Sequence, residues 1–232
     1  MLASKAMINN VEIYSFESVE FFLDYITNEK KVLVAMNAEK ILKKDTKLKV
    51  IINNNIGYAD GVGAVMALKQ KGLDAIKIPG SEFWLDIVNR FYKLKSFYIV
   101  GSSQKVIDRT IEKLKDDFPA INIVGYRNGY LKDGEKEQLK SDIVEKKPDI
   151  VFVAQGTPAQ EYLMNDLMDV HKALYMGLGG SFDVYTGYKK RAPKFYLDFH
   201  LEWFYRLLKE PTRISRQYIL VKFLILLKMR ML

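Results

Sequence analysis

The sequence predicts an α/β protein in which mostly parallel sheets are flanked by helices. Short apolar runs rich in Val and Ile alternate with segments of helical periodicity along most of the chain. Glycine-containing turns follow several of these runs, and 49% of the 232 residues are hydrophobic, enough for a buried core. This alternation is typical of βαβ units, whose strands run parallel.

Four predicted strands lead directly into predicted helices. These pairs are KVLVAM before NAEKILKK, SFYIVG before SSQKVIDRTIEKLKDDF, INIVGY before GEKEQLKSDIVEKK, and DIVFVAQG before TPAQEYLMNDLMDV. KALYMGLGG supplies a further strand. We predict a catalytic α/β domain over residues 1–191, divided near 93–96 into halves of about 1–95 and 96–191. From Ala192 the pattern is helical, which predicts an appendage over 192–232.

Composition and charge bear on location. Cysteine is absent, which excludes disulfides and thiolate metal sites and fits a reducing compartment. The first residues lack the apolar core of a signal peptide, and no run reaches the roughly 18 apolar residues of a spanning helix. Residues 187–232 contain eleven Lys or Arg and three acids, a difference equal to the net charge of +8 of the whole chain.

The basic tail predicts a membrane partner. Its cations lie beside aromatic residues and the run YILVKFLILLKMRML, a combination that suits the surface of an anionic membrane. A nucleic-acid-binding protein would more often be basic across its body. We therefore expect a cytoplasmic protein that is peripheral on the inner face of the membrane and binds no nucleic acid.

Ligands of parallel sheets bind outside the carboxyl ends of the strands. The candidates at these ends are Asn37, Asp60, Gly101–Ser103, Tyr126–Tyr130, Gly156–Pro158 with Gln160, and Gly179–Ser181 with Asp183. Glycine turns that lead into helices offer N–H groups for phosphate oxygens. Any strand-to-helix turn also uses Gly and Ser, so each turn singly has a structural interpretation. Together they favour an anionic, nucleotide-like ligand.

Asp60 in the stretch YADGVG has two interpretations. Asp-Gly is a common turn dipeptide, in which Asp caps a helix or bonds its own backbone. The alternative is a general base held at the end of a strand. Other chemistry lacks its motif: there is no G-x-G-x-x-G, Walker A sequence, G-x-S-x-G or D-x-D. His171 and His200 are the only histidines, so we predict no metal site and no cofactor.

The motifs VAMNAEK, YADGVG, VAQGTPAQE, GGSFDV and KRAP follow one another in an order that resembles the WecG/TagA/CpsF family of bacterial glycosyltransferases. The resemblance covers nearly the whole chain. It implies two Rossmann-like halves of the GT-E type with a membrane-associating helical appendage. It also implies an inverting transfer of a sugar from a UDP donor to a polyprenyl-diphosphate-linked sugar, in the synthesis of bacterial surface polysaccharides.

The resemblance also implies roles for particular residues. Asp60 matches the family's acid and is the expected base. The expected partners of the leaving UDP are Arg206, Arg213 and Arg216, for which a purely membrane-facing role is the alternative. The expected substrate-binding residues are Asn37, Lys77, Tyr130, Gln160 and Asp183, with Tyr130 and Asp183 at the uridine. Lys77 stands where relatives often carry Arg, and for the polar residues a role in tying loops together is the alternative.

The donor sugar is less closely defined. VAMNAEK, YADG and RISRQ most resemble the branch that uses UDP-N-acetylmannosaminuronate, while related branches use UDP-N-acetylmannosamine or UDP-glucose. A nucleotide-binding membrane scaffold without catalysis is the alternative from another functional class.

Overall fold

One eight-stranded sheet forms the centre of the protein. The structure is a computed structural model that describes residues 3–189, 196 and 214–232. The strands are β1 (Lys5–Ile8), β2 (Val11–Tyr14), β3 (Val32–Met36), β4 (Ile56–Ala59), β5 (Ser96–Gly101), β6 (Asn122–Arg127), β7 (Ile150–Ala154) and β8 (Leu174–Gly177). Their order across the sheet is β1-β2-β4-β3-β8-β7-β5-β6. Among the strands of the described residues, only β1 and β2 pair antiparallel, which confirms the mostly parallel α/β fold.

The two predicted halves of the chain share this sheet. The contact between β3 and β8 is the junction of the two halves. The four strands from before residue 95 lie on the β3 side of this junction, and the four from after it lie on the β8 side. At the junction, Leu33 of β3 is in register with Met176 of β8. The halves are therefore neighbours within one sheet, and the division near residues 93–96 does not interrupt it.

Helices cover both faces of the sheet. They are α1 (Val19–Ile26), α2 (Ala38–Leu42), α3 (Thr46–Asn53), α4 (Val62–Gln70), α5 (Gly80–Phe91), α6 (Gln104–Asp117), α7 (Glu135–Lys146), α8 (Ala159–Val170), α9 (Ser181–Tyr185) and α10 (Ile214–Lys228). One core contains side chains of α2, α3, α4, α7, α8 and α10, and the other contains those of α1, α5, α6 and α9. Burial on both faces explains why the strands are nearly continuous apolar runs.

The C-terminal helix α10 packs on the body of the protein. Phe223 and Leu227 are buried in the core that α2 and α4 share. A Cβ atom on Gly63 of α4 would lie 3.1 Å from the Phe223 ring, so the glycine permits this close approach. The Gln70 side chain donates to the Leu227 carbonyl at 2.8 Å. Among the helices of the described residues, none has both the length and the apolar character needed to cross a bilayer.

A buried ion pair connects α2 with α8. Lys40 Nζ lies 2.7 Å from Glu161 Oε1, and the two side chains are 6% and 1% exposed. Thr157 and Gln160 also donate to Glu161 Oε1, at 3.1 and 3.3 Å, whereas Glu161 Oε2 has no hydrogen-bond partner in the described part of the chain. Since α2 follows β3 and α8 follows β7, the pair joins elements from the two sides of the β3–β8 junction.

We predict that Lys40→Met lowers the free energy of unfolding by about 3–5 kcal/mol, because it leaves the buried Glu161 carboxylate without its cation. Urea titration followed by circular dichroism measures the change. The double variant Lys40→Met/Glu161→Leu should recover most of the loss.

The exposed pair Arg109–Glu112 provides the control for this prediction. Arg109→Met should change the unfolding free energy by less than about 1 kcal/mol, because water screens an exposed pair. Equal effects of Lys40→Met and Arg109→Met would contradict a stabilising role for the buried contact.

Candidate functional site

Asn37 and Asp60 lie together at the carboxyl ends of the neighbouring strands β3 and β4. The Asn37 side chain caps α2 by accepting from the Lys40 N–H at 3.0 Å. The N–H groups of Asp60 and Gly61 both donate to the Met36 carbonyl, at 3.0 and 3.3 Å. Both side chains are half-buried. The structure thus places two of the predicted site residues side by side.

The Asp60 carboxylate is held by the start of α5. Its Oδ1 accepts from the Gly80 N–H at 2.7 Å. The cap of α5, Pro79, contributes no side-chain hydrogen bond, so Asp60 supplies an acceptor to that helix end. The Gly80 N–H belongs to the first turn of α5, where the helix dipole places partial positive charge. Asp60 therefore serves a helix, as one interpretation expected, but α5 rather than α4, which it precedes in sequence.

Tyr58 lies beneath this contact. Its side chain is 0% exposed, and its hydroxyl has no hydrogen-bond partner among the residues that the structure describes. Burial raises the pKa of Tyr58 well above its usual value, and the negative charge of Asp60 adds to the rise. A Cβ atom on Gly80 would lie 2.8 Å from the Tyr58 hydroxyl and 3.6 Å from Asp60 Oδ1. Only glycine therefore fits at position 80 without displacement of a neighbour.

A cleft of about 290 Å³ opens on the other side of the sheet junction. It is lined by Ser102, Gly129, Tyr130, Ala154, Gln155 and Ala159. The Ser102 hydroxyl donates to Asp183 Oδ2 at 3.2 Å, which brings Asp183 to this cleft. Tyr130 is 75% exposed, so its ring is available to a ligand. Two residues predicted for the same part of a ligand, Tyr130 and Asp183, thus lie in one region.

Gln160 ties two glycine turns together. Its side-chain Oε1 accepts from the N–H groups of Gly156 and Gly179, at 3.2 and 2.9 Å. The side chain is buried, which matches the loop-tying alternative considered for it. These two glycine N–H groups are therefore occupied, whereas the sequence suggested glycine turns as donors to phosphate. For the other turns that suggestion stays a prediction.

A further cleft, of about 310 Å³, lies between α5 and α9. Glu82 and Asp86 are among its lining residues. Burial and the neighbouring charge of Glu82 raise the pKa of Asp86. Because the negative charges of these carboxylates would repel a phosphate, the cleft at Ser102 and Tyr130 is the better candidate for an anionic ligand.

Lys77 belongs to the segment that leads from α4 to α5. Its neighbour Ile78 donates its N–H to the Ala59 carbonyl at the end of β4, at 2.8 Å, and Lys77 itself is half-buried. Arg206 and Arg213 lie outside the described residues, as does His200. Arg216 belongs to α10, but its side chain is not among those described. Within the described part of the chain, no group of three or more His, Asp or Glu could hold a metal ion.

Sequence reasoning missed several residues that shape the site. The Gly80 N–H holds the Asp60 carboxylate, and Tyr58 packs beneath Gly80. Ser102 was among the strand-end candidates, but its bond to Asp183 was not expected. The segment KIPGSEF was singled out only for Lys77, and nothing local connects its Gly80 with an acid twenty residues earlier.

These features define an α/β protein with its polar groups gathered at the carboxyl edge of a parallel sheet. Comparison with protein families gives a closer assignment. The family described as "Glycosyl transferase WecG/TagA/CpsF family" matches residues 7–232, so the chain belongs to this family of glycosyltransferases. Such an enzyme transfers a sugar from a donor to an acceptor, and its site must therefore hold two substrates.

We predict that Gly80→Ala destabilises the protein by about 1–3 kcal/mol, because the new methyl group meets the Tyr58 hydroxyl. Helix propensity alone favours alanine, so the sign of the change is informative. Tyr58→Phe should stay within about 1 kcal/mol of the parent, since it removes a hydroxyl without a partner.

The double variant Tyr58→Phe/Gly80→Ala should recover more than half of the loss, a non-additivity expected of residues in contact. Urea unfolding of the four proteins measures it. Strictly additive effects would contradict the contact between the two positions.

Proposed function

We propose that this protein is an inverting glycosyltransferase that moves a sugar from a UDP donor to a polyprenyl-diphosphate-linked sugar. The observation that carries the proposal is the Asp60 carboxylate, held at the end of β4 by the Gly80 N–H in a chain of this family. A fixed carboxylate beside an open strand end suits a general base.

In the proposed reaction, Asp60 accepts the proton of the acceptor hydroxyl as that oxygen attacks the anomeric carbon. The bond from this carbon to the UDP oxygen breaks on the opposite side, and its electron pair leaves with UDP. The configuration of the anomeric carbon is thereby inverted. The Gly80 N–H keeps Asp60 in place during the step, because a carboxylate accepting a helix N–H cannot rotate freely without losing that bond.

The donor would occupy the carboxyl edge between the two groups of polar residues. Tyr130 offers an exposed ring for stacking on uracil, and Asp183 beside Ser102 offers an acceptor for the nucleoside. Asn37, next to Asp60, is the candidate partner of the donor sugar. Gln160 would act by fixing the turns at Gly156 and Gly179 around the ligand.

The leaving diphosphate requires positive charge. Lys77 is the described cation on the segment that leads to Gly80, and we propose that it faces the diphosphate with help from Arg206, Arg213 and Arg216. Arginine suits this role, since its planar fork matches phosphate oxygens. The donor sugar proposed is N-acetylmannosaminuronate or N-acetylmannosamine, on the motifs VAMNAEK and YADG.

A lipid-linked acceptor requires the enzyme to work at a membrane. The C-terminal segment supports this, because the side of α10 opposite Phe223 exposes Tyr218, Val221 and Ile225 between basic residues. We propose that α10 attaches the protein to the anionic inner face of the bacterial membrane, where the acceptor sugar is accessible.

We predict that Asp60→Asn lowers turnover by about 10²–10⁴-fold, the usual contribution of a positioned base. Release of UDP from UDP-sugars in the presence of a synthetic polyprenyl-diphosphate sugar measures it. Asp45→Asn is the matched control, because Asp45 also accepts a helix N–H, from Leu48 at 3.0 Å, but its other carboxylate oxygen accepts from the Tyr162 hydroxyl and it does not end a strand.

The control should retain its activity, since Asn also caps helices well. An Asp60→Asn variant with more than about half of the parent activity would contradict the base assignment, whose expected contribution is at least a hundredfold. Failure of the parent to release UDP with any donor, despite binding UDP, would favour the scaffold alternative.

We predict that transfer continues in EDTA. The sequence lacks the D-x-D motif, and we assign the neutralisation of the diphosphate to cations of the chain itself. The same UDP-release assay, with and without chelator, measures it. Loss of activity that one divalent ion restores would overturn the assignment of the diphosphate to Lys77 and the arginines.

A further inference from the structure

The outer side of α10 is apolar although it faces away from the body. At about 100° per residue, Tyr218, Val221 and Ile225 form one stripe on the opposite side from Phe223 and Leu227. Each residue of this outer stripe is more than half exposed, whereas Phe223 is buried. A helix that is apolar all round belongs in an apolar environment on both sides. The protein core provides an apolar environment on only one side of α10.

The neighbouring helix α4 continues this apolar surface. Val62 and Met66 are 48% and 44% exposed, although both are large apolar residues on a helix of the catalytic body. Gly63, between them, lies against Phe223, and Gln70 bonds the backbone of α10. At about 100° per residue, Met66 and Val62 lie about 60° and 100° around α4 from Gly63, on the same side as Gln70, so they border the face that contacts α10.

The charges on both helices have one sign. Residues 62–70 and 214–232 contain no Asp or Glu, and their charged residues are Lys69, Arg216, Lys222, Lys228 and Arg230. Lys222 and Lys228 lie on opposite flanks of the outer stripe, at about 100° per residue. An exposed apolar strip between cations complements a surface with anionic headgroups above an apolar interior.

We propose that Val62 and Met66 of α4, together with the outer stripe of α10, form one surface that contacts an anionic lipid bilayer. This inference rests on the proposed function and goes further, because it assigns part of the contact to the catalytic body. Val62 follows Asp60 by two residues, so the contact would hold the candidate base next to the membrane. The orientation of the site toward a lipid-linked acceptor would then be fixed by α4, and not left to a tethered tail.

The experiment compares double variants by sedimentation with vesicles. One variant is Val62→Glu/Met66→Glu, and a second is Val221→Glu/Ile225→Glu on α10. The control is Leu94→Glu/Val144→Glu, which places the same charge at exposed apolar positions after α5 and on α7. Vesicles containing phosphatidylglycerol are compared with pure phosphatidylcholine, and circular dichroism verifies folding.

We expect the α4 variant to bind anionic vesicles at least about tenfold more weakly than the parent, since it loses apolar contact and gains repulsion. The control should bind within about twofold of the parent, because its charges lie off the surface. The α4 variant should also release UDP with a water-soluble acceptor at the parent rate, while losing activity on a vesicle-embedded acceptor.

Other outcomes separate the inference from the proposed function. If the α10 variant loses vesicle binding and the α4 variant does not, the inference fails and the attachment through α10 stands. If neither variant loses vesicle binding, both the inference and the proposed attachment through α10 fail. If the α4 variant changes only the oligomeric state in sedimentation equilibrium, the surface binds a second copy of the chain and the inference is overturned. A neutral pair, Val62→Thr/Met66→Gln, should show a weaker loss of binding of the same kind.

Discussion

The pairing of β3 with β8 is the constraint on which the candidate site depends. It brings the first four strands and the last four into one sheet, so that the carboxyl ends of β3, β4, β5, β7 and β8 lie along one edge. Without this pairing, Asp60 and Asn37 would belong to one body and Tyr130 and Asp183 to another. The buried contact between Lys40 and Glu161 reinforces the same junction from the helical layer, since it joins α2 to α8. Burial makes this contact costly to break, although not necessarily better than an apolar pair.

The geometry of Asp60 is compatible with both interpretations that the sequence set against each other. Its carboxylate accepts from the first N–H of α5, which is a structural task. The same bond fixes the side chain at the end of a strand, which a base requires. The arrangement is tightly packed, because Gly80 leaves no room for a side chain above the Tyr58 hydroxyl. A residue that stabilises a helix and a residue that takes a proton can thus be the same one, and a mutation there has to be judged by folding as well as by turnover.

Much of the architecture was predictable because it is encoded locally. The strands β3, β5, β6, β7 and β8, and the helices that follow the first four of them, were predicted from apolar runs and helical periodicity. Asp60 was selected as a candidate because it follows such a run. The contacts that shape the site were not predictable from local sequence. They join Asp60 with Gly80, Lys40 with Glu161, and Ser102 with Asp183, which are 20 to 121 positions apart. The tail was interpreted as a membrane segment, and its periodicity could not reveal that Phe223 turns inward onto Gly63.

The position of β8 in the middle of the sheet also affects how the chain folds. Val32 of β3 is in register with Tyr175 of β8, so this pair closes a loop of more than a hundred residues. Until β8 arrives, β3 is an edge strand with unpaired backbone groups and apolar side chains, a template for wrong pairing. Sheets with such distant pairings fold slowly, because the entropy of loop closure is lost before the contacts compensate for it. During synthesis the first four strands therefore form an incomplete sheet for as long as the ribosome takes to produce the second half, and this interval is when aggregation competes with folding.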